Sequence, residues 1–402
     1  MTLSRATGSF GVLGNRAYRA LWLAEFAGDL GNWMQTVGAQ WVIVRRGDAI
    51  VLAALVVAAA RVPILAVAAP VGALADRLDR RRLLLCSQLF QGVVAAVLTV
   101  ASLRGDVGPA MLLGSTALLG LGSAVSMIAF QALIPEVVEP ADLPSAVAMA
   151  QVNLNIARVI GPPLGGLLVG LAGPQTVFAL DACSYLVFAA VLVGCTVPAT
   201  PPLPAAGRLR DEVSAGIVAI RSTPVLRRAF LHITVTTLPY SAVWALLPSV
   251  AVHLLGLGAT GYGVLLAAVG VGSIVGVVAY RALTTRLGAT RLLVAANVAA
   301  CALLVLVVLT GAPAMAVACL FGFGLASLVM QTQLGATVQV SASDQARART
   351  LSVFTSLRVG GQGIGAIGFG LLGQATGAGP AMIVAGAGFG VSALVAMYRP
   401  PI

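Results

Sequence analysis

The sequence predicts an all-α polytopic membrane protein of about twelve transmembrane helices, set as two six-helix bundles in a parallel pseudo-twofold repeat. Three observations predict it. Of 402 residues, 59% are hydrophobic and 9% charged, against roughly 25% charged in soluble domains, so the chain has too little polar surface to face water. Twelve apolar runs of spanning length follow one another, broken by Gly, Pro or charge. Short stretches of the first half also recur, partly decayed, in the second.

The runs of the first half fall at about 17–44, 49–75, 83–103, 109–133, 145–172 and 174–197. The first follows Arg5, Arg16 and Arg19 and carries Glu25, Asp29 and Asn32, unlike a cleavable signal core, so it is expected to stay in the membrane. Pro198 to Pro224 is the only long polar stretch, and it opens Pro-rich. It predicts a linker at 198–225 between an N-terminal bundle, 1–197, and a C-terminal bundle, 226–402. The runs of the second half fall at about 226–254, 260–283, 291–311, 313–336, 347–373 and 378–398.

All 24 basic residues are Arg. With the N-terminus inside, eighteen of them fall in cytoplasmic segments and three, Arg45, Arg46 and Arg104, on the other side. That bias predicts a multi-pass protein of the cell membrane (inner or plasma membrane) with both termini cytoplasmic. The formal charge of +11 is thereby explained by topology, without nucleic acid as a partner; the expected partners are the bilayer and a small-molecule substrate, and the chain is expected to be a monomer. Cys86, Cys183, Cys195, Cys301 and Cys319 sit in apolar runs without CxxC spacing and read as packing residues.

The repeat is concrete. Arg158-Val159-Ile160-Gly161 with Gly165 recurs as Arg358-Val359-Gly360-Gly361 with Gly365, and Asp76-Arg77-Leu78 recurs as Thr285-Arg286-Leu287. The offsets are nearly equal, which implies parallel repeats with a substrate path between them.

Ionisable groups within spans cost about 2.5–3.5 kcal/mol each on insertion scales and are functional candidates by default. Glu25, Asp29, Asn32, Thr36 and Gln40 recur every three or four residues and share one face of the first span, which must turn away from lipid and is expected to line the central cavity. Counted from the ends, Asp29 and Arg61 both lie near mid-depth, so an Asp29–Arg61 pair is expected. Asp29, with Glu25 and Arg61, is the candidate proton-coupling group; a permanent ion pair that only neutralises charge is the alternative. Gln151, Asn155 and Arg158 in span five, and Thr355, Arg358 and Gln362 in span eleven, have the same helical spacing. The two arginines could bind an anionic or catechol-like substrate from pseudo-symmetric sides, or brace helices. His232, Thr236, Tyr240 and Trp244 share a face of span seven and could stack on an aromatic ligand, with His232 as a packing residue near the cytoplasmic end. Asp181 reads as a capping or interhelix partner.

Enzyme chemistry lacks support. His232 and His253 are not at metal-ligand spacing, no Ser/His/Asp arrangement is evident, and a chain without Lys has no Walker A loop. No catalytic residue, metal or cofactor is expected, the driving force being a proton gradient.

Between spans two and three, Gly72-Ala-Leu-Ala-Asp76-Arg77-Leu78-Asp79-Arg80-Arg81-Arg82 closely resembles the GxxxDRxGRR signature of the major facilitator superfamily, with Asp79 where glycine is usual. The resemblance implies a cytoplasmic gate at Gly72, Asp76, Arg77, Arg80, Arg81 and Arg82. Gly161-Pro162-Pro163-Leu164-Gly165-Gly166 looks like the GPxxGG motif of its export branches, implying an export-motif helix with Gly161, Pro162, Gly165 and Gly166. Leu21-Trp22, Asn32-Trp33-Met34-Gln35-Thr36, Arg61-Val62-Pro63, Ile134-Pro135-Glu136 and Leu143-Pro144-Ser145-Ala146 resemble the enterobactin-exporter-like and macrolide-efflux-like group. The implied function is a secondary exporter of a small amphipathic compound, siderophore or drug-like, by proton antiport with alternating access. An uptake carrier or facilitator, and a lysophospholipid flippase, share the scaffold. From Met111 to Gln131 there is no arginine, so the proton-coupling arginine that many drug antiporters carry in span four is missing.

Overall fold

The computed structural model describes residues 11–47, 50–195, 217–218, 220–342 and 347–400, with backbone alone at 64–77, 347–349 and 352. After a 3-10 turn at Gly11–Gly14, six helices make the first half: α1 Arg16–Arg45, α2 Ile50–Arg77, α3 Arg80–Arg104, α4 Pro109–Val137, α5 Leu143–Ala172 and α6 Pro174–Gly194. Six make the second: α7 Pro224–Ser249, α8 Ala259–Leu287, α9 Ala289–Thr310, α10 Pro313–Ser341, α11 Arg347–Thr376 and α12 Ala378–Tyr398. A π-helical turn, Val250–Leu254, extends α7. Most of the expected linker, 198–216, lies outside the described residues, and with it Arg208 and Arg210.

Local chemistry explains the boundaries. The Asn15 side chain caps α1 by accepting from the amides of Ala17 and Tyr18 at 3.0 and 3.2 Å. Proline opens α4, α5, α6, α7 and α10, where its missing N–H costs nothing. Among the described residues nine helices are long and apolar enough to cross a membrane, and α1, α2 and α11 complete the twelve by length and packing. Large apolar side chains such as Leu171, Val278 and Leu309 point outward. That is tolerable where lipid is the solvent.

The two halves pack alike. In the first, α1 lies against α5 and α6, α3 against α4 and α6, and α2 against α4. In the second, α7 lies against α11 and α12, α9 against α10 and α12, and α8 against α10. Each pair maps onto its counterpart six helices on. The repeated glycines follow suit: Gly161 and Gly165 meet Trp33 and Met34 of α1, while Gly361 and Gly365 meet Thr237 and Ser241 of α7.

The halves meet along α2–α11 and α5–α8, and these seams close from mid-helix toward the end away from the chain termini. Gly363 sits against Val62, Gly373 against Ile50, Gly166 against Gly263, and Gly270 against Val159. Toward the terminal end the same faces part. One to two turns beyond Val159 and Pro163, Val152 and Ile156 of α5 are 41% and 37% exposed; seven residues beyond Gly270, Val277 of α8 is 62% exposed. The bundle is therefore closed at the far end and splayed at the end that bears the termini.

Candidate functional site

The polar face of α1 runs from the open end into the closed one. Glu25, Asp29, Asn32 and Thr36 are half-buried, but Gln40 is 2% exposed. Its amide nitrogen donates to the carbonyl oxygens of Trp244 at 2.8 Å and Ala53 at 3.5 Å, and its oxygen accepts from the Tyr262 hydroxyl at 2.9 Å. Gln40 therefore does not line the cavity as its spacing predicts. It plugs the far end, because α7 and α8 close over the last turns of the face.

Trp33 stands at mid-depth. The guanidinium of Arg61 lies over its ring at 5.2 Å and that of Arg158 at 5.8 Å, geometry suited to cation–π attraction. The expected Asp29–Arg61 ion pair is absent: the described residues hold two ion pairs, Arg80–Glu136 and Arg82–Asp79. The cation whose field reaches Asp29 is Arg158. Arg61 leaves α2 beside Gly363 and its guanidinium is taken up by the Trp33 ring, one turn along α1 from Asp29, while Arg158 comes from α5, which packs along α1. Glu25 and Asp29 act on each other electrostatically.

In the second half, Thr236, Tyr240, Gln331, Phe354, Arg358 and Gln362 line an open cleft. Arg358 donates to Gln331 Oε1 at 3.2 Å, and its Nε is buried without a partner among the described residues. Arg158 and Arg358 both lie near enough to act on the charge of Arg61. Trp33, Trp244, Tyr240 and Phe323 form a continuous aromatic wall, with centroid separations of 5.6, 6.4 and 6.2 Å. Gln151 and Asn155 are exposed on the splayed face of α5. His232 is buried, and its Nε2 meets the Arg399 carbonyl at 3.0 Å, the packing role expected of it.

The glycines of α5 allow two close approaches. A Cβ at Gly161 would lie 2.6 Å from Trp33 Cβ and one at Gly165 2.9 Å from Met34 Cα, whereas Gly166 faces the backbone of Gly263 across the seam. Only small residues let backbones come this near. Pro162 is buried within the helix. The motif thus seats α5 against α1 on one side and α8 on the other.

The arginine loop braces helix ends. Arg80 binds Glu136 at 2.7 Å and the Ala132 carbonyl at 3.2 Å, and Arg81 donates to the Leu192 and Val193 carbonyls at 2.8 and 3.1 Å, capping the end of α6. Asp79, the departure from the family pattern, caps α3 by accepting from the Arg82 amide at 3.0 Å. The side chains of Gly72, Asp76 and Arg77 lie outside the described residues.

Sequence reasoning missed a polar network inside the first bundle. Asn32 donates to Ser123 at 3.0 Å, Ser123 to Gln91 at 3.0 Å, and Gln91 to Ser126 at 3.0 Å, with Ser87 3.0 Å from Ser126. The signal was present as Ser87, Gln88 and Gln91 on one helical face. Asp181 does not cap its helix: it is fully buried, its oxygens meet no donor in good hydrogen-bond geometry among the described residues, and the nearby polar group that acts on it is the Tyr185 hydroxyl.

A family profile described as a transmembrane secretion effector matches residues 7–401. A staphyloferrin A transporter of Staphylococcus aureus is 30% identical over 165 residues, 41% of each chain. The multidrug efflux pump Tap of Mycolicibacterium fortuitum is 28% identical over 218 residues, 51% of this chain and 52% of that one. The matches thus span about half the length of these relatives or less. Among solved structures, an inward-facing, occupied bacterial homologue of the human lysosomal transporter Spinster superposes with a TM-score of 0.79 at 14% identity, over 96% of both chains. A peptide transporter superposes at 0.76 and 15% identity, over 96% of this chain and 94% of that one. At such identities these likenesses speak for the fold.

Proposed function

From the premise that this chain belongs to the transmembrane secretion effector family of the major facilitator superfamily, we propose that it is a secondary exporter of a small amphipathic compound, siderophore-like or drug-like, driven by proton antiport. The observation that carries the reading is the α1 face, where Glu25 and Asp29 lie half-buried between the splayed end of the bundle and the Gln40 plug. A carboxylate placed there meets one side of the membrane at a time. The arginine-rich ends of the helices coincide with the open end, so the positive-inside rule puts that end in the cytoplasm and makes the state inward-facing. The relatives that transport staphyloferrin A and export drugs point to the same class of cargo.

Substrate enters from the cytoplasm and settles against the aromatic wall at mid-depth. The halves then rock, the Gln40 contacts part and the terminal end closes. Asp29 carries the coupling proton: in the field of Arg158 its ionised and protonated forms weight the two arrangements differently, so exchange of substrate for proton drives the cycle in one direction. The chain's own counterion changes partner, and no bound cofactor takes part.

The test is pH-gradient-driven export in proteoliposomes by the wild type and Asp29→Asn. Loss of gradient dependence in the variant is expected, and full retention would overturn Asp29 as the coupling group. Retention of siderophores, macrolides and lysophospholipids in a deletion strain, with and without an uncoupler, identifies the cargo. Accumulation that requires the gene would establish uptake instead.

A further inference from the structure

We propose that the mid-depth region where the halves face each other is an anion site, reaching from Trp33 to the second-half cleft: it selects a ligand carrying two or more acidic oxygens on or beside an aromatic or flat apolar body, and holds it between Arg158 of the first half and Arg358 of the second. The proposal rests on the exporter reading for the cavity's role and deepens it by choosing a substrate class.

Charge is the first support. Three guanidiniums, Arg61, Arg158 and Arg358, come from α2, α5 and α11 into one electrostatic neighbourhood. The acids beside them are Glu25 and Asp29, both on α1 and half-buried. With both acids ionised the neighbourhood keeps a net positive charge of one, and with either protonated the surplus grows. Surplus charge at membrane depth is costly unless paired, and no ion pair to any of the three arginines forms among the described residues.

Unused donors are the second support. Arg358 spends one nitrogen on Gln331 and leaves its buried Nε without a partner among the described residues, at the wall of the second-half cleft. Arg61 and Arg158 are held over the Trp33 ring and make no side-chain hydrogen bond within the described residues, so their donors remain for a ligand. A planar guanidinium fork suits carboxylate or phenolate oxygens, which it takes in pairs.

Shape is the third. Trp33, Trp244 and Tyr240 continue from the arginines as a ring wall, which receives an aromatic or flat body beside the acidic head. A cationic drug has no complement here beyond Glu25 and Asp29, and it would face three like charges.

This placement also gives the ligand a part in switching. Arg158 and Arg358 belong to different halves and repel each other; an anion between them converts repulsion into attraction and lets the open end close on an occupied site. The empty carrier is held open by the same charges.

The test is binding to the purified protein in detergent at fixed ionic strength, read by quenching of tryptophan fluorescence, with Trp33→Phe identifying the site's own signal. The probes are phthalate, 2,3-dihydroxybenzoate and the cation ethidium. Saturable binding of at least one anion, weakened roughly 10- to 100-fold by Arg358→Gln or Arg158→Gln and partly recovered by Arg358→Lys, is expected, with ethidium weaker than the anion. Tighter binding of ethidium than of both anions, no binding of either anion, or anion binding indifferent to both glutamine substitutions would overturn the proposal. Selectivity of the wild type decides even if a variant does not fold. Because binding is measured without a gradient, its failure leaves the direction of transport to the vesicle assay, and the reverse.

Discussion

Gln40 on α1 donates to the main-chain oxygen of Trp244 on α7 at 2.8 Å, and through this side chain the first half grips the second. The Tyr262 hydroxyl on α8 completes the grip at 2.9 Å. The residue sits where the polar face of α1 stops being a cavity wall and becomes a plug. Removing the amide leaves a carbonyl and a hydroxyl unpaired in an apolar seam, at roughly 1–3 kcal/mol. We expect Gln40→Leu to shift the population toward the state open at the far end by a factor of about ten. Distances between spin labels on the turns at 45–47 and 256–258 check this: the label pair should lengthen in the variant, and an unchanged distribution would show that the plug lies elsewhere.

Gly166 and Gly263 place backbone on backbone at the α5–α8 seam. A methyl group at either position has no flexible neighbour to displace, so the helices must separate or the seam stays open. Gly166→Ala should abolish most transport and destabilise the protein by about 1–3 kcal/mol, read as a lower melting temperature and faster access of a thiol reagent to a cysteine placed at Thr260. Gly194→Ala, at the end of α6 with open space around it, is the control and should behave as wild type.

Arg80 and Glu136 join the start of α3 to the end of α4 at 2.7 Å, with side chains 13% and 10% exposed. Solvent screens so enclosed a pair little, and truncating one partner leaves the other charge without its counterion. Arg80→Ala should cost about 2–4 kcal/mol and the exchanged pair Arg80→Glu with Glu136→Arg less than the sum of its parts, measured by thermal unfolding in a double-mutant cycle. Asp79→Ala, which removes the α3 cap and the exposed ion pair with Arg82, should cost about 1 kcal/mol.

Much of this architecture was legible in the sequence, and what escaped shows why. Twelve apolar runs became twelve helices with ends shifted by a few residues, because hydropathy and Gly or Pro punctuation act locally. The repeat Arg158…Gly165 and Arg358…Gly365 predicted matching contacts, and its glycines do pack on α1 and α7 in corresponding ways. Periodicity placed Gln40 on the face of Glu25 and Asp29, yet it carries no information on where neighbouring helices close over that face. Depth counting put Asp29 level with Arg61. It could not show that the Trp33 ring, one turn beyond Asp29, takes up the Arg61 guanidinium and leaves Arg158 as the cation that acts on Asp29. Trp33 itself was visible only as part of a motif, since its role depends on rings and guanidiniums from α2, α5 and α7.

Asp181 poses the sharpest packing question. It is fully enclosed; a Cβ on Gly31 of α1 would lie 2.7 Å from its Oδ1, and the Ser184 hydroxyl is occupied by the main-chain oxygen of Asp181 itself at 2.7 Å. The Tyr185 hydroxyl lies near enough to act on the carboxyl, but not in good hydrogen-bond geometry with any of the described residues. An ionised carboxylate with no donor in such a place costs several kcal/mol, whereas a neutral amide of the same shape costs far less. Asp181→Asn should therefore leave the melting temperature unchanged or raise it, and a fall of more than a few degrees would mean that a charged partner holds the acid. Gly31→Ala should destabilise, because the methyl group drives into the carboxylate. Asp181→Ala empties the space the methyl group needs, so the double variant should recover part of the loss, with a coupling of about 0.5–3 kcal/mol. Recovery would show that the α1–α6 approach is set by the fit of Gly31 to Asp181.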